Sequence, residues 1–196
     1  MILNSLGRTG LNVSALGFGA MHINDERTSE AEAGALLNHV LDEGINLIDT
    51  ARGYGLSEER IGRHLAHRRP EFVLSTKVGY GVDGVPDWTY DCIVGGVERA
   101  LRVMKTEVLD IVHFHSCPLE LLQRGEIIEA LQRMQREGKV RLAAYSGENE
   151  ALDFAIDCGA FSLNCWHSAF LQSRSRIGFV LMRWRQSAQS LFTCLR

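Results

Sequence analysis

No apolar run in these 196 residues approaches the ~18 needed to cross a bilayer. The N-terminus lacks the basic and apolar regions of a signal peptide. There is no basic excess either. The formal net charge is −3, which removes the electrostatic case for a nucleic-acid partner. No Cys-x-x-Cys occurs, and the five cysteines (Cys92, Cys117, Cys158, Cys165 and Cys194) are odd in number. Buried or reduced thiols of a cytoplasmic protein are the expectation. No Gly-x-Gly-x-x-Gly follows the first strand-like segment, so a bound nucleotide is not expected to sit on a Rossmann turn. What is present is a composition with 45% hydrophobic and 23% charged residues, that of a globular chain able to bury a core.

Strand-like and helix-like segments alternate. Gly7-Arg8-Thr9-Gly10 reads as the turn of an N-terminal hairpin. Short apolar strands are expected at Leu16 to Gly19, Ile45 to Asp49, Phe72 to Thr76, Val108 to Phe114, Val140 to Tyr145 and Phe161 to Trp166. Helical spacing predicts helices over Ser29 to Glu43, Ser57 to His67, Thr89 to Met104, Glu120 to Arg136 and Asn149 to Asp157. Ser57 is expected to cap its helix, with Glu58 and Glu59 favouring the positive end of the helix dipole. About six βα units with short connections argue for a parallel α/β sheet. An open doubly wound sheet and a closed barrel both fit that alternation. Titratable residues recurring at the ends of successive strands favour the barrel, because an open sheet gathers its site at one switch point.

Those residues are Asp49, Tyr54, Lys77 and His115. Each falls at or just past a strand's C-terminal end, the face that carries chemistry in a parallel barrel. An acid, a phenol, an amine and an imidazole gathered there suggest proton transfer centred on Tyr54. His113 shares a strand face with His115. No third ligand stands at useful spacing, so no metal site is expected.

The last stretch differs from the rest. Five of the 21 basic residues lie in 173–196 and none of the 24 acidic ones, leaving 16 basic residues and a net −8 before it. Two readings are open for residues 173–196. One is a basic surface helix with Trp184 packed inward. The other is a non-native tail that follows a frameshift or truncation near Arg174. The domain expectation is a partial barrel over 1–172 and an atypical basic tail after it.

Asp49-Thr50-Ala51-x-x-Tyr54-Gly55-x-Ser57-Glu58, followed by Ile61-Gly62, resembles the signature of the aldo-keto reductase family. Leu6 to Ser14, Leu16-Gly17-Phe18-Gly19, Ser75-Thr76-Lys77, Leu109 to Ser116 and Gly138 to Ser146 resemble further motifs of that family, over roughly residues 1–172. The resemblance implies a (β/α)8 TIM barrel, incomplete here. It implies an oxidoreductase that reduces an aldehyde or ketone, or oxidises the alcohol. NADP(H) is the first cofactor expectation and NAD(H) the second. Tyr54 would be the general acid, and Lys77 the cation that makes the phenol more acidic. Asp49 would be the partner of Lys77, and His115 would orient the carbonyl. Ser146 would contact the nicotinamide carboxamide. Asn164 stands where the family places a glutamine for that purpose. Gly79 to Trp88 reads as a loop that either shapes specificity through Trp88 or uses that ring as an anchor. No Lys-Ser and Arg motif for the adenosine and phosphate appears. The alternative expectation is therefore a catalytically impaired fragment or a non-enzymatic binding protein.

Overall fold

Alternation along the strands sorts the apolar residues of this chain into an inner and an outer core. The computed structural model describes residues 1–163 in full and, beyond them, only the backbone of 164–167, 182–185 and 191–194. A hairpin of β1 (Leu3–Ser5) and β2 (Asn12–Ser14) comes first. The main sheet then runs through β3 (Gly17–Gly19), β4 (Leu47–Asp49), β5 (Val73–Val78), β6 (Leu109–His115), β7 (Val140–Gly147) and β8 (Leu163–His167). These six strands pair in sequence order, every pair parallel. The order never reverses, so the doubly wound alternative has no switch point and falls away. The result is an incomplete TIM barrel.

The helices are α1 (Glu30–Asp42), α2 (Ser57–His64), α3 (Tyr90–Val103), α4 (Leu119–Arg124), α5 (Glu126–Arg136) and α6 (Asn149–Asp157). Ser29 starts α1 with a reciprocal capping box. Its hydroxyl accepts from the Glu32 N–H at 3.3 Å, while the Glu32 carboxylate accepts from the Ser29 N–H at 2.9 Å. Thr89 caps α3 through the Cys92 N–H. The outer core packs Ile48, Leu74, Val112 and Tyr145 of the strands against Leu37, Ile61, Val97 and Leu131 of the helices. Full burial of such side chains stabilises by about 1.5–3 kcal/mol each. The inner core joins Leu47, Val73, Ile111, Ala144 and Leu163 of five strands to Leu6 and Val13 of the hairpin. Asn46, just before β4, receives the Ser14 N–H on its side-chain oxygen at 2.6 Å. The hairpin therefore closes the barrel at the strands' N-terminal ends.

Three expectations need correction. Ser57 is the first residue of α2 rather than its cap, and its hydroxyl donates to the Ala20 carbonyl at 2.9 Å. A buried hydroxyl takes the acceptor that the tertiary fold provides. The helix expected over 120–136 is two helices, because Gly125 at φ 77° ends α4 in the left-handed region. The sheet also continues past β8. The backbone of β10 (Leu191–Cys194) pairs parallel with β8, and that of β9 (Met182–Arg185) pairs antiparallel with β10. Those eight residues are extended, not helical. An open strand edge presents unpaired backbone groups that another strand satisfies. The Trp184 side chain lies outside the described residues.

Gly62 explains the Ile61-Gly62 pair of the signature. A Cβ there would run into the Val103 carbonyl and the Met104 backbone, so only glycine lets α2 lie directly on the end of α3. Gly62→Ala is expected to lower the unfolding free energy by about 1–3 kcal/mol. Urea unfolding followed by circular dichroism measures it, and a neutral effect would contradict the close approach.

Candidate active site

Strand register puts the expected residues on one inner face. Leu47, Val73, Ile111 and Ala144 point into the barrel. Counting by twos from them, Asp49, Ser75, Lys77, His113, His115 and Ser146 point inward as well. Asp49 pairs across with Ser75, Lys77 with His113, and His115 with Ser146. These positions climb towards the C-terminal ends of the strands.

The deepest of them are tied together. Lys77 Nζ donates to Asp49 Oδ2 at 2.6 Å and to the Thr50 carbonyl at 2.9 Å. The Ser75 hydroxyl donates to Asp49 Oδ1 at 2.8 Å. Only 3% of the Lys77 side chain and 7% of the Asp49 side chain are exposed. Burial by itself raises the Asp49 carboxyl. The Lys77 ammonium, the charge of His113 and the two hydrogen bonds outweigh burial and hold the carboxyl below its ordinary range.

Tyr54 sits above this pair, with Lys77 Nζ 4.9 Å from its ring centroid. Glycine must follow it. Gly55 has φ 44°, and a Cβ there would collide with the Asn24 carbonyl. That carbonyl also receives the Leu56 N–H at 2.8 Å, so the Tyr54 loop is pinned from below. His115 meets Tyr54 edge to face at 6.0 Å between ring centroids. Both rings are half-buried, open to the mouth of the barrel. Asp49, Tyr54, Lys77 and His115 thus converge. Ser146 is fully buried beside His115. Asn164 pairs with Tyr145, and Cys165 with Ser146; the Asn164, Trp166 and His167 side chains lie outside the described residues.

Tyr80 is the residue the sequence reading missed. Its hydroxyl lies 2.5 Å from His115 Nδ1, and its ring stacks on the imidazole at 5.5 Å and 26°. The available signal was a phenol three residues past Lys77. Burial, with Tyr54 nearby, pushes the Tyr80 phenol above its ordinary value. Trp88 packs its ring edge-on to Tyr80 and Phe114, and its N–H donates to the Gly79 carbonyl at 2.7 Å. It therefore anchors the 79–88 loop. His113 is buried in the barrel next to Lys77. Among the described residues, no group of three His, Cys, Asp or Glu side chains could hold a metal. A cavity of about 610 Å3 lies at the opposite end, under the hairpin, lined by Asn46, Arg69, Lys105, Asp110 and Arg141 among others. It contains none of the converging residues. Arg69 there is committed to Asp110, to Thr106 and to the Phe72 and Val108 carbonyls.

A parallel barrel whose functional side chains share the C-terminal face has the architecture of a small-molecule enzyme. Residues 15–153 match the aldo/keto reductase family, and the chain belongs to this family of oxidoreductases. L-galactose dehydrogenase of Arabidopsis thaliana is 32% identical over 154 residues, which cover 74% of this chain and 48% of that protein. D-arabinose 1-dehydrogenase of Saccharomyces cerevisiae is 33% identical over 134 residues, 63% of this chain and 39% of that one. Among solved structures, the holo form of an aldo-keto reductase from Bacillus halodurans superposes with a TM-score of 0.77. It is 30% identical, with 86% of this chain and 58% of that one covered. The chain spans about half the length of the curated relatives it matches. Among the described residues, no helix is long and apolar enough to cross a membrane.

Asp49→Asn leaves the Lys77 ammonium buried without its carboxylate. The expected loss is about 3 kcal/mol of unfolding free energy at neutral pH. Because the folded carboxyl lies below the ordinary 3.8, its contribution is complete above that pH and disappears as pH falls through the lower folded value. The gap between wild type and variant, measured by urea unfolding, should be constant at higher pH and shrink below it. A gap independent of pH would contradict the pairing.

Proposed function

We propose that this barrel face interconverts a small carbonyl compound and its alcohol with a nicotinamide cofactor. The observation that carries this reading is Lys77 Nζ, held by Asp49 at 2.6 Å and lying 4.9 Å from the Tyr54 ring centroid. Hydride addition to a carbonyl builds negative charge on oxygen, which a positioned donor must neutralise. Tyr54 gives its hydroxyl proton to that oxygen. The phenolate left behind is stabilised by the Lys77 ammonium, and Asp49 keeps that amine protonated inside the barrel. His115 fixes the carbonyl at the mouth. The nicotinamide supplies the hydride when bound, as no side chain can. Ser146 and Asn164 would hold its carboxamide, and Ser146 suits the task as a buried hydroxyl at the level of His115. NADP(H) is the preferred form, with NAD(H) second.

Steady-state oxidation of NADPH and NADH with a panel of aldehydes and ketones tests the reading. Tyr54→Phe removes the proton donor and keeps the ring. It is expected to lower kcat/KM by about 100-fold or more. Wild-type rates no higher than those of Tyr54→Phe would reject catalysis through this face and favour a binding role for it.

A further inference from the structure

We propose that Tyr80 is a positioning residue that holds His115 in its Nε2–H tautomer, so that the imidazole donates a hydrogen bond to the substrate oxygen. This rests on the carbonyl-reducing reading of the same face.

A neutral imidazole carries one donor and one acceptor nitrogen, and the partner of one nitrogen sets the state of the other. The Tyr80 hydroxyl is 2.5 Å from Nδ1, close enough to decide that state. The phenol is protonated at neutral pH, since burial has raised it further above its ordinary 10.0. Its proton needs an acceptor, and His115 Nδ1 is the acceptor recorded for it among the described residues. If Nδ1 instead donated to the phenol oxygen, the hydroxyl proton would give up this acceptor. Tyr80 therefore donates, Nδ1 accepts, and Nε2 carries the proton.

The arrangement is held from several sides. The Tyr80 ring stacks on the imidazole and meets the edge of Trp88 at 6.3 Å. Trp88 is pinned through its N–H to Gly79, and the Gly81 N–H donates to Asp87 at 3.0 Å. The 79–88 loop thus carries a constraint into the site through a single phenol. An imidazole in the other tautomer would present a lone pair to the carbonyl oxygen and repel the charge that builds there.

The test uses the full chain labelled with 15N. A long-range proton–nitrogen correlation at neutral pH reads the tautomer of each of the seven histidines. His115→Asn assigns the His115 signals by their loss. In the wild type, Nδ1 of His115 should resonate as an unprotonated nitrogen and Nε2 as a protonated one. In Tyr80→Phe, which keeps the stacked ring, that pattern should move towards a mixture of tautomers. An Nδ1–H pattern in the wild type overturns the proposal, and so does an unchanged pattern in a folded Tyr80→Phe. The wild-type spectrum alone retains that power if the variant fails to fold. In turnover, Tyr80→Phe should lose about twofold or more in kcat with KM little changed, because only part of the imidazole then offers Nε2–H to the transition state. Absence of turnover in the wild type would reject the carbonyl-reducing reading, while the tautomer measurement would stand by itself.

Discussion

The buried pair of Lys77 and Asp49 is the constraint on which the site depends. An ammonium that is 3% exposed is stable in its charged form only beside an anion it can touch. The sheet provides that contact through register. Asp49 lies opposite Ser75, and Lys77 is two residues further along the same strand face. The lysine must therefore reach back down the barrel to find its carboxylate. That direction carries its ammonium under the Tyr54 ring instead of out into solvent. Slipping β5 by one residue against β4 would turn Lys77 towards the helices and leave Asp49 without its cation.

The pair also depends on the far end of the barrel. Leu6 and Val13 of the hairpin are fully buried against Leu47, Val73 and Ile111, the layer directly beneath Asp49 and Ser75. Those apolar side chains shield the charged layer from below. The attraction between the two groups is then screened less than it would be at a surface. The hairpin contributes no chemical group, yet it shapes the electrostatic environment of Tyr54.

Much of this was legible because a strand's alternation is rigid. Asp49, Lys77 and His115 could be assigned to the strands' C-terminal ends from position alone, and the register turns their side chains to one inner face; Ser146, named only through the family resemblance, shares it. The helix starts at Ser29 and Thr89 were legible for a similar reason, since each cap is decided within four residues. Ser57 was misread because its hydroxyl answers to Ala20, 37 residues away, and not to its own helix. Gly125 was invisible within an otherwise continuous helical pattern. Tyr80 lies in a loop, where no period fixes direction. Its contact with His115, 35 residues on, depends on how Trp88 folds the loop back. The pairing of β10 with β8 likewise joins segments that no local pattern connects.

Glu58 sharpens what distinguishes the Asp49 site. Both carboxyls are almost fully buried, both accept from a hydroxyl, and both touch a cation at 2.6 Å. Yet burial wins at Glu58 and pushes it above its ordinary value, while the charges win at Asp49. The difference lies in how the cations are used. Arg99 divides its guanidinium between Glu58 and Glu59, and the second carboxylate opposes ionisation of the first. At Asp49 the neighbouring charge of His113 has the opposite sign and adds to that of Lys77. Tyr80 is raised by burial and by its neighbour Tyr54, whereas Tyr54 lies over an ammonium whose charge is secured. Residue type does not distinguish the two tyrosines at this mouth; the placement of one balanced cation, under the ring of Tyr54, does.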